Sequence, residues 1–120
     1  MSRIDLIEAV EDERSEYASD PEMRDIVTLF VDDLPRRAAS LRAAIGAGDR
    51  PRLRTLAHQL RGSAGGYGFP GIGNAAANLE ILILANGTDE RVAGAAERLA
   101  NRCLRAVRPD RIDSASIIFE

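Results

Sequence analysis

Between Leu53 and Tyr67 the apolar residues recur every three or four positions, and that spacing commits the segment to a helix with one buried face. Leu53, Leu56, Ala57, Leu60, Ala64 and Tyr67 share one narrow arc when the run is wound at about 100° per residue. His58, the only histidine of the chain, falls about 140° from that arc and faces solvent. Arg54 and Arg61 flank it at i−4 and i+3, while Gly62 and Gly65 follow at i+4 and i+7. Glycine inside a helix costs about 1 kcal/mol relative to alanine, yet Gly62, Gly65 and Gly66 all fall here. The apolar stripe continues past Gly62, so the helix is expected to continue too. We read the missing side chains as room for another molecule's backbone to approach His58.

The rest of the chain reads as further amphipathic helices. Ile4, Ile7 and Val10 set a stripe over 3–17 that Tyr17 could close. Ser19-Asp20-Pro21-Glu22 reads as a helix start, with Ser19 or Asp20 as cap and proline in the first turn. Met23, Ile26, Val27, Phe30 and Leu34 form the next stripe, and Pro35 predicts a kink or short break, so that 21–46 reads as one bent helix or two in tandem. The histidine helix is expected from Arg50 or Pro51 to Tyr67, with Phe69-Pro70-Gly71 as a turn. A helix over 72–86 follows; Leu79, Ile81, Leu82, Ile83 and Leu84 make it apolar on nearly all sides, as for a buried central helix. Asn86-Gly87-Thr88-Asp89 stops it and restarts a last helix over 89–107, on Val92, Ala96, Leu99, Cys103 and Ala106.

Short connections between long amphipathic helices imply antiparallel neighbours. The expected fold is all-α: an antiparallel up-and-down four-helix bundle with an additional N-terminal helix packed across one end. One domain is expected over 1–110, with a C-terminal tail at 111–120 whose Ile117-Ile118-Phe119 patches onto the bundle. Aromatic residues are only 4% of the chain, so the core is built of alanine and aliphatic residues, which suits close-packed helices.

The net charge of −3 argues against a general nucleic-acid binder. No apolar run approaches the roughly 20 residues that cross a bilayer, and Met1-Ser2-Arg3-Ile4-Asp5 does not open a signal peptide. A soluble cytoplasmic monomer with no membrane contact is the expectation. Acids dominate before Pro35, whereas arginines dominate from Arg36 to Arg61 against Asp49 alone. His58 therefore sits at the basic end, which suits an acidic partner surface. A metal site would draw a second histidine or a cysteine cluster, and Cys103 is the only cysteine. A hydrolytic triad needs an orienting carboxylate; the outer face of the His58 helix offers Thr55 and arginines but no acid.

The run Ala57-His58-Gln59-Leu60-Arg61-Gly62-Ser63-Ala64, with Gly68 and then Leu79-Glu80, resembles the histidine-containing phosphotransfer (HPt) domain, whose pattern is Ala-His-x-Leu-Lys-Gly-Ser/Ala, then Gly, then Leu-Glu. The usual lysine three residues after the histidine is Arg61 here, which keeps the charge and grips phosphate bidentately. The resemblance implies a phosphorelay intermediate: His58 accepts a phosphoryl group and passes it to or from an aspartate of a response-regulator receiver domain. Arg61 and Arg54 would steady the phosphate oxygens, and Thr55, Gln59, Gly62 and Gly65 would meet the partner. The expected partners are a receiver domain and a sensor or hybrid histidine kinase. No cofactor is expected on this chain, and the receiver would supply Mg²⁺. No nucleotide fingerprint is present, so no autonomous kinase activity is expected. The alternative is a module of the same family that docks on a receiver or kinase without carrying phosphate.

Overall fold

The computed structural model describes residues 12–110, and within them the chain forms four helices: α1 (Arg24–Ala47), α2 (Arg50–Gly66), α3 (Pro70–Leu84) and α4 (Asp89–Leu104). They close into a ring in which α2 packs most extensively on α3 and α1 on α4, with α3–α4 and α1–α2 contacts completing it. Each helix contributes an apolar stripe to one core. Leu34 and Leu41 of α1, Leu60 of α2, Ile72 and Leu79 of α3 and Leu99 of α4 are all essentially inaccessible, and each such side chain stabilises the fold by roughly 1.5–3 kcal/mol. Alanines at 38, 57, 64, 76, 96 and 100 are buried between them and let the helices approach closely. At one end Phe30 stacks on Tyr67, with ring centroids 4.8 Å apart, and leans on Phe69 at 5.7 Å.

The helix ends follow local chemistry. Asp49 caps α2 by accepting from Arg52 N, and Thr88 caps α4 by accepting from Arg91 N. Gly48 ends α1 in the left-handed region with its amide on Ala44 and Ile45 carbonyls. Arg50 locks two connections together, its Nη2 donating to Gly87 O at 2.6 Å and Asp89 Oδ1 at 2.7 Å.

Several boundaries differ from those the sequence suggested. The α1 helix starts at Arg24, because Asp20 accepts from Glu22 N and its carbonyl from Met23 N, which makes 20–23 a turn. It then runs through Pro35 as one helix. Val31, Leu34 and Ala38 anchor it to the core on both sides of the proline, and Asp33 pairs with Arg36 and Arg37 across it. The α3 helix takes Pro70 as its first residue, so the expected turn is already its first winding. It ends at Leu84, and α4 ends at Leu104. The central burial expected of α3 is not found: Leu79 is buried, but Ile81 is 61% and Leu84 62% exposed, since every helix of a four-membered ring keeps an outer face. Ile26 also lies partly outside its stripe.

No helix precedes α1 among the described residues. The expected helix over 3–17 falls outside them as far as residue 11, and from Asp12 the chain is a strap instead. Glu13 forms an isolated parallel bridge with Ala106, through Glu13 N to Arg105 O and Val107 N to Glu13 O, both 2.9 Å. Glu16 N donates to Gly68 O at 2.8 Å, and Ser15 Oγ donates to Tyr67 O at 2.7 Å. Backbone groups used this way are not available for helical bonds. The 111–120 tail lies outside the described residues.

Gly68 is where the strap meets the α2–α3 turn. Its φ is +85°, and a Cβ there would stand 2.8 Å from both Ser15 Oγ and Tyr17 Cδ2. Gly68→Ala is therefore expected to destabilise the fold by about 2 kcal/mol or more, whereas Gly66→Ala, which meets nothing within 4 Å, should be neutral or stabilising by about 0.5 kcal/mol. Chemical denaturation of the two variants checks the contrast. Burial pushes the Cys103 thiol up to about 12, so it stays a neutral core residue. It should resist iodoacetamide at about pH 8 in the folded protein and react once denaturant exposes it.

Candidate functional site

The α2 helix holds His58 on its outer face with 65% of the side chain exposed, as its spacing requires. The residue that defines the site comes from the neighbouring helix. Glu80 of α3 is 7% exposed, and its Oε2 lies 3.0 Å from His58 Nδ1. A carboxylate only accepts, so this contact places the ring proton on Nδ1 and leaves the Nε2 lone pair directed outward. The second oxygen, Oε1, faces Arg61 Nη1 at 3.1 Å; the angle gives it charge compensation without a directed hydrogen bond. A buried carboxylate is tolerated only with such partners.

The acid thus lies on α3, and the expectation of no carboxylate near His58, drawn from the α2 face alone, is corrected. Close contact of α2 and α3 brings it there. A Cβ on Gly73 would sit 3.8 Å from both Arg61 O and Gly65 N, an ordinary contact that marks where the two helices meet. About two turns further along α3, Glu80 then reaches His58. The Leu79-Glu80 pair belongs to the motif quoted above, but the spacing within one helix carries no signal for a contact between two.

Pro51, Arg54, Thr55, His58, Gln59 and Glu80 line an open recess of about 500 Å³. Among the sequence-derived candidates, Arg54, Thr55 and Gln59 therefore gather with His58, and Arg61 joins through Glu80. Thr55 turns its hydroxyl back to Pro51 O at 3.1 Å and is less available to a partner than its exposure suggests. Arg54 makes no ion pair among the described residues. Gly62 and Gly65 are exposed, and an added Cβ at either would meet nothing within 4 Å. The chain's own packing therefore does not demand glycine there. On the same side of α3 as Glu80, one turn on, stands the exposed Leu84. No group of three or more potential metal ligands occurs among the described residues.

Such an arrangement suits an outward-facing nitrogen nucleophile with a fixed tautomer and two nearby guanidinium groups. If Glu80 sets that tautomer, Glu80→Leu should move the ring proton toward Nε2. Nitrogen-15 NMR of the imidazole in wild type and variant reads this directly. An unchanged tautomer, with helicity intact, would remove Glu80 from its orienting role.

The family model of the Hpt domain matches residues 25–111, most of the chain and all four helices. Searches for a similar curated protein and for a similar solved structure returned no match. A family match of that extent over a helical bundle, with the histidine displayed on its second helix, means that this chain belongs to the histidine-containing phosphotransfer (HPt) domain family.

Proposed function

We propose that the protein is a phosphorelay intermediate that carries a phosphoryl group on His58 between an aspartate of a receiver domain and a second partner, a histidine kinase or another receiver. The observation that carries this reading is the His58–Glu80 pair, which holds Nδ1 and leaves Nε2 exposed as the nucleophile. In the forward step Nε2 attacks the phosphorus of an aspartyl phosphate; the Nε2–P bond forms as the aspartyl O–P bond breaks, and the aspartate leaves as carboxylate. The proton on Nδ1 stays, and Glu80 faces the positive ring that results. Passing the group onward is the same step in reverse.

Phosphoryl transfer asks the protein mainly for positioning and charge neutralisation. Arg54, on the recess and without an ion pair among the described residues, steadies the phosphate oxygens. Arg61 shares that work with its contact to Glu80. Mg²⁺ is left to the receiver: Glu80 is the one carboxylate lining the recess, and its oxygens already face His58 and Arg61. Gln59, Gly62, Gly65 and, to a lesser degree, Thr55 form the surface over which the receiver's loops close, with Leu84 as an apolar contact beside them. The open space above both glycines supports this, since bulk is missing exactly where a partner must approach and nothing within the chain explains its absence. The reading includes no autonomous kinase activity, a cytoplasmic monomer and no contact with nucleic acid; no helix among the described residues is long and apolar enough to cross a membrane.

Intact-mass spectrometry after incubation with a phosphorylated receiver domain tests the proposal. Wild type is expected to gain one phosphoryl group, labile in acid and stable in base, and His58→Gln none. Failure of wild type to gain it from any of several receivers, while still binding them, would replace the carrier by a docking module.

A further inference from the structure

A second polar recess lies between α3 and α4, on the other side of α3 from the histidine site. At about 100° per residue, Asn74 and Asn78 project some 120–160° away from Glu80. They stand one turn apart on α3 and face Arg98 and Arg102, one turn apart on α4, across a floor of Ala75 and Ala95; Gly71 closes one end. The volume is about 230 Å³. The recess exists because both helices carry alanine where they meet, so its walls are polar and its floor is small.

The donors on these walls are largely unengaged. Among the described residues, Asn74, Asn78 and Arg98 make no side-chain hydrogen bond or ion pair. The Arg98 guanidinium lies over Gly94, its Nη1 3.5 Å from where a Cβ on that glycine would be. Arg102 is engaged through Nη1, by the carboxylate of Glu13. That carboxylate also lies against Gly71, in the first turn of α3, where the helix dipole favours negative charge. The chain therefore already places one anionic group at the end of this recess, while the two carboxamides and the second guanidinium beyond it have no acceptor.

We propose that the α3–α4 recess binds a small phosphate-bearing anion. The phosphate takes the Arg98 guanidinium from the α4 wall and the Asn74 and Asn78 amides from the α3 wall, with Glu13 holding Arg102 beside it. A tetrahedral dianion suits donors that converge from two opposed walls, and the volume limits the ligand to a small molecule. This site is independent of the phosphocarrier reading and stands or falls without it.

The test follows the side-chain amide signals of Asn74 and Asn78 in proton–nitrogen NMR spectra of the full chain. Inorganic phosphate and glycerol 3-phosphate are titrated separately, against sodium chloride at matched ionic strength. Saturable shifts with phosphate and not with chloride are expected, weakened about tenfold in Arg98→Ala and unchanged in His58→Gln. Saturation by both probes assigns a phosphomonoester; saturation by inorganic phosphate alone assigns the free ion. Shifts that do not saturate, that chloride reproduces, or that survive Arg98→Ala unchanged would overturn the proposal. Arg98 is exposed, so its loss leaves the fold in place.

Discussion

A carboxylate taken out of water must find positive charge or a donor, and in this bundle Glu80 finds both on the neighbouring helix. Its burial between α2 and α3 couples packing to chemistry. The same approach of helices that covers Leu60, Ala64 and Ile72 brings Glu80 under His58 and beside Arg61. Each oxygen has its own partner, so losing Arg61 would leave the His58 ring as the carboxylate's contact and losing His58 would leave the Arg61 guanidinium. The site is therefore held by the bundle's most extensively packed helix pair.

Around that contact the structure separates fixed from adaptable parts. His58 keeps one nitrogen in the protein's hydrogen-bond network and the other in solvent. Arg54 and the glycines form an open rim, while Leu56, Ala57 and Leu60 hold the helix from beneath. The strap from Asp12 to Ala18 does comparable work at the other end of α2. Ser15 and Glu16 bind the Tyr67 and Gly68 carbonyls, and Glu13 ties the strap to the end of α4. The C-terminal end of α2, which carries Gly65 and Gly66, is thereby anchored although the glycines themselves lend it little stability.

Polarity of charge gives the molecule a direction. Several arginines on the first two helices are engaged within the chain: Arg36 and Arg37 with Asp33, Arg42 with Glu97, Arg50 with Asp89. Arg36 and Asp33 reinforce each other, the guanidinium holding the Asp33 carboxyl below its ordinary value. These exposed pairs contribute little each, but they leave Arg54 beside His58 without such a partner. Arg54 is thus the guanidinium on the histidine recess that no carboxylate of the described residues neutralises.

How much of this was legible in the sequence depends on the range of the interaction involved. The spacing of Leu53, Leu56, Leu60 and Ala64 by itself determined that α2 is a helix and that His58 faces outward, because side-chain direction within a helix follows from position alone. The restart at Thr88-Asp89 and the glycines beside His58 are local in the same way, and the all-helical class follows from stripes of that kind repeated along the chain. Tertiary structure alone decided that Glu80, twenty-two residues away, pairs with His58; that Ile81 and Leu84 stay exposed in an apolar helix; that Pro35 sits inside one continuous helix; and that 12–17 is a strap. Each depends on which surfaces meet, since burial, pairing and the cost of a broken backbone bond are set by neighbours distant in sequence. Periodicity states what one helix presents, and only packing states what receives it.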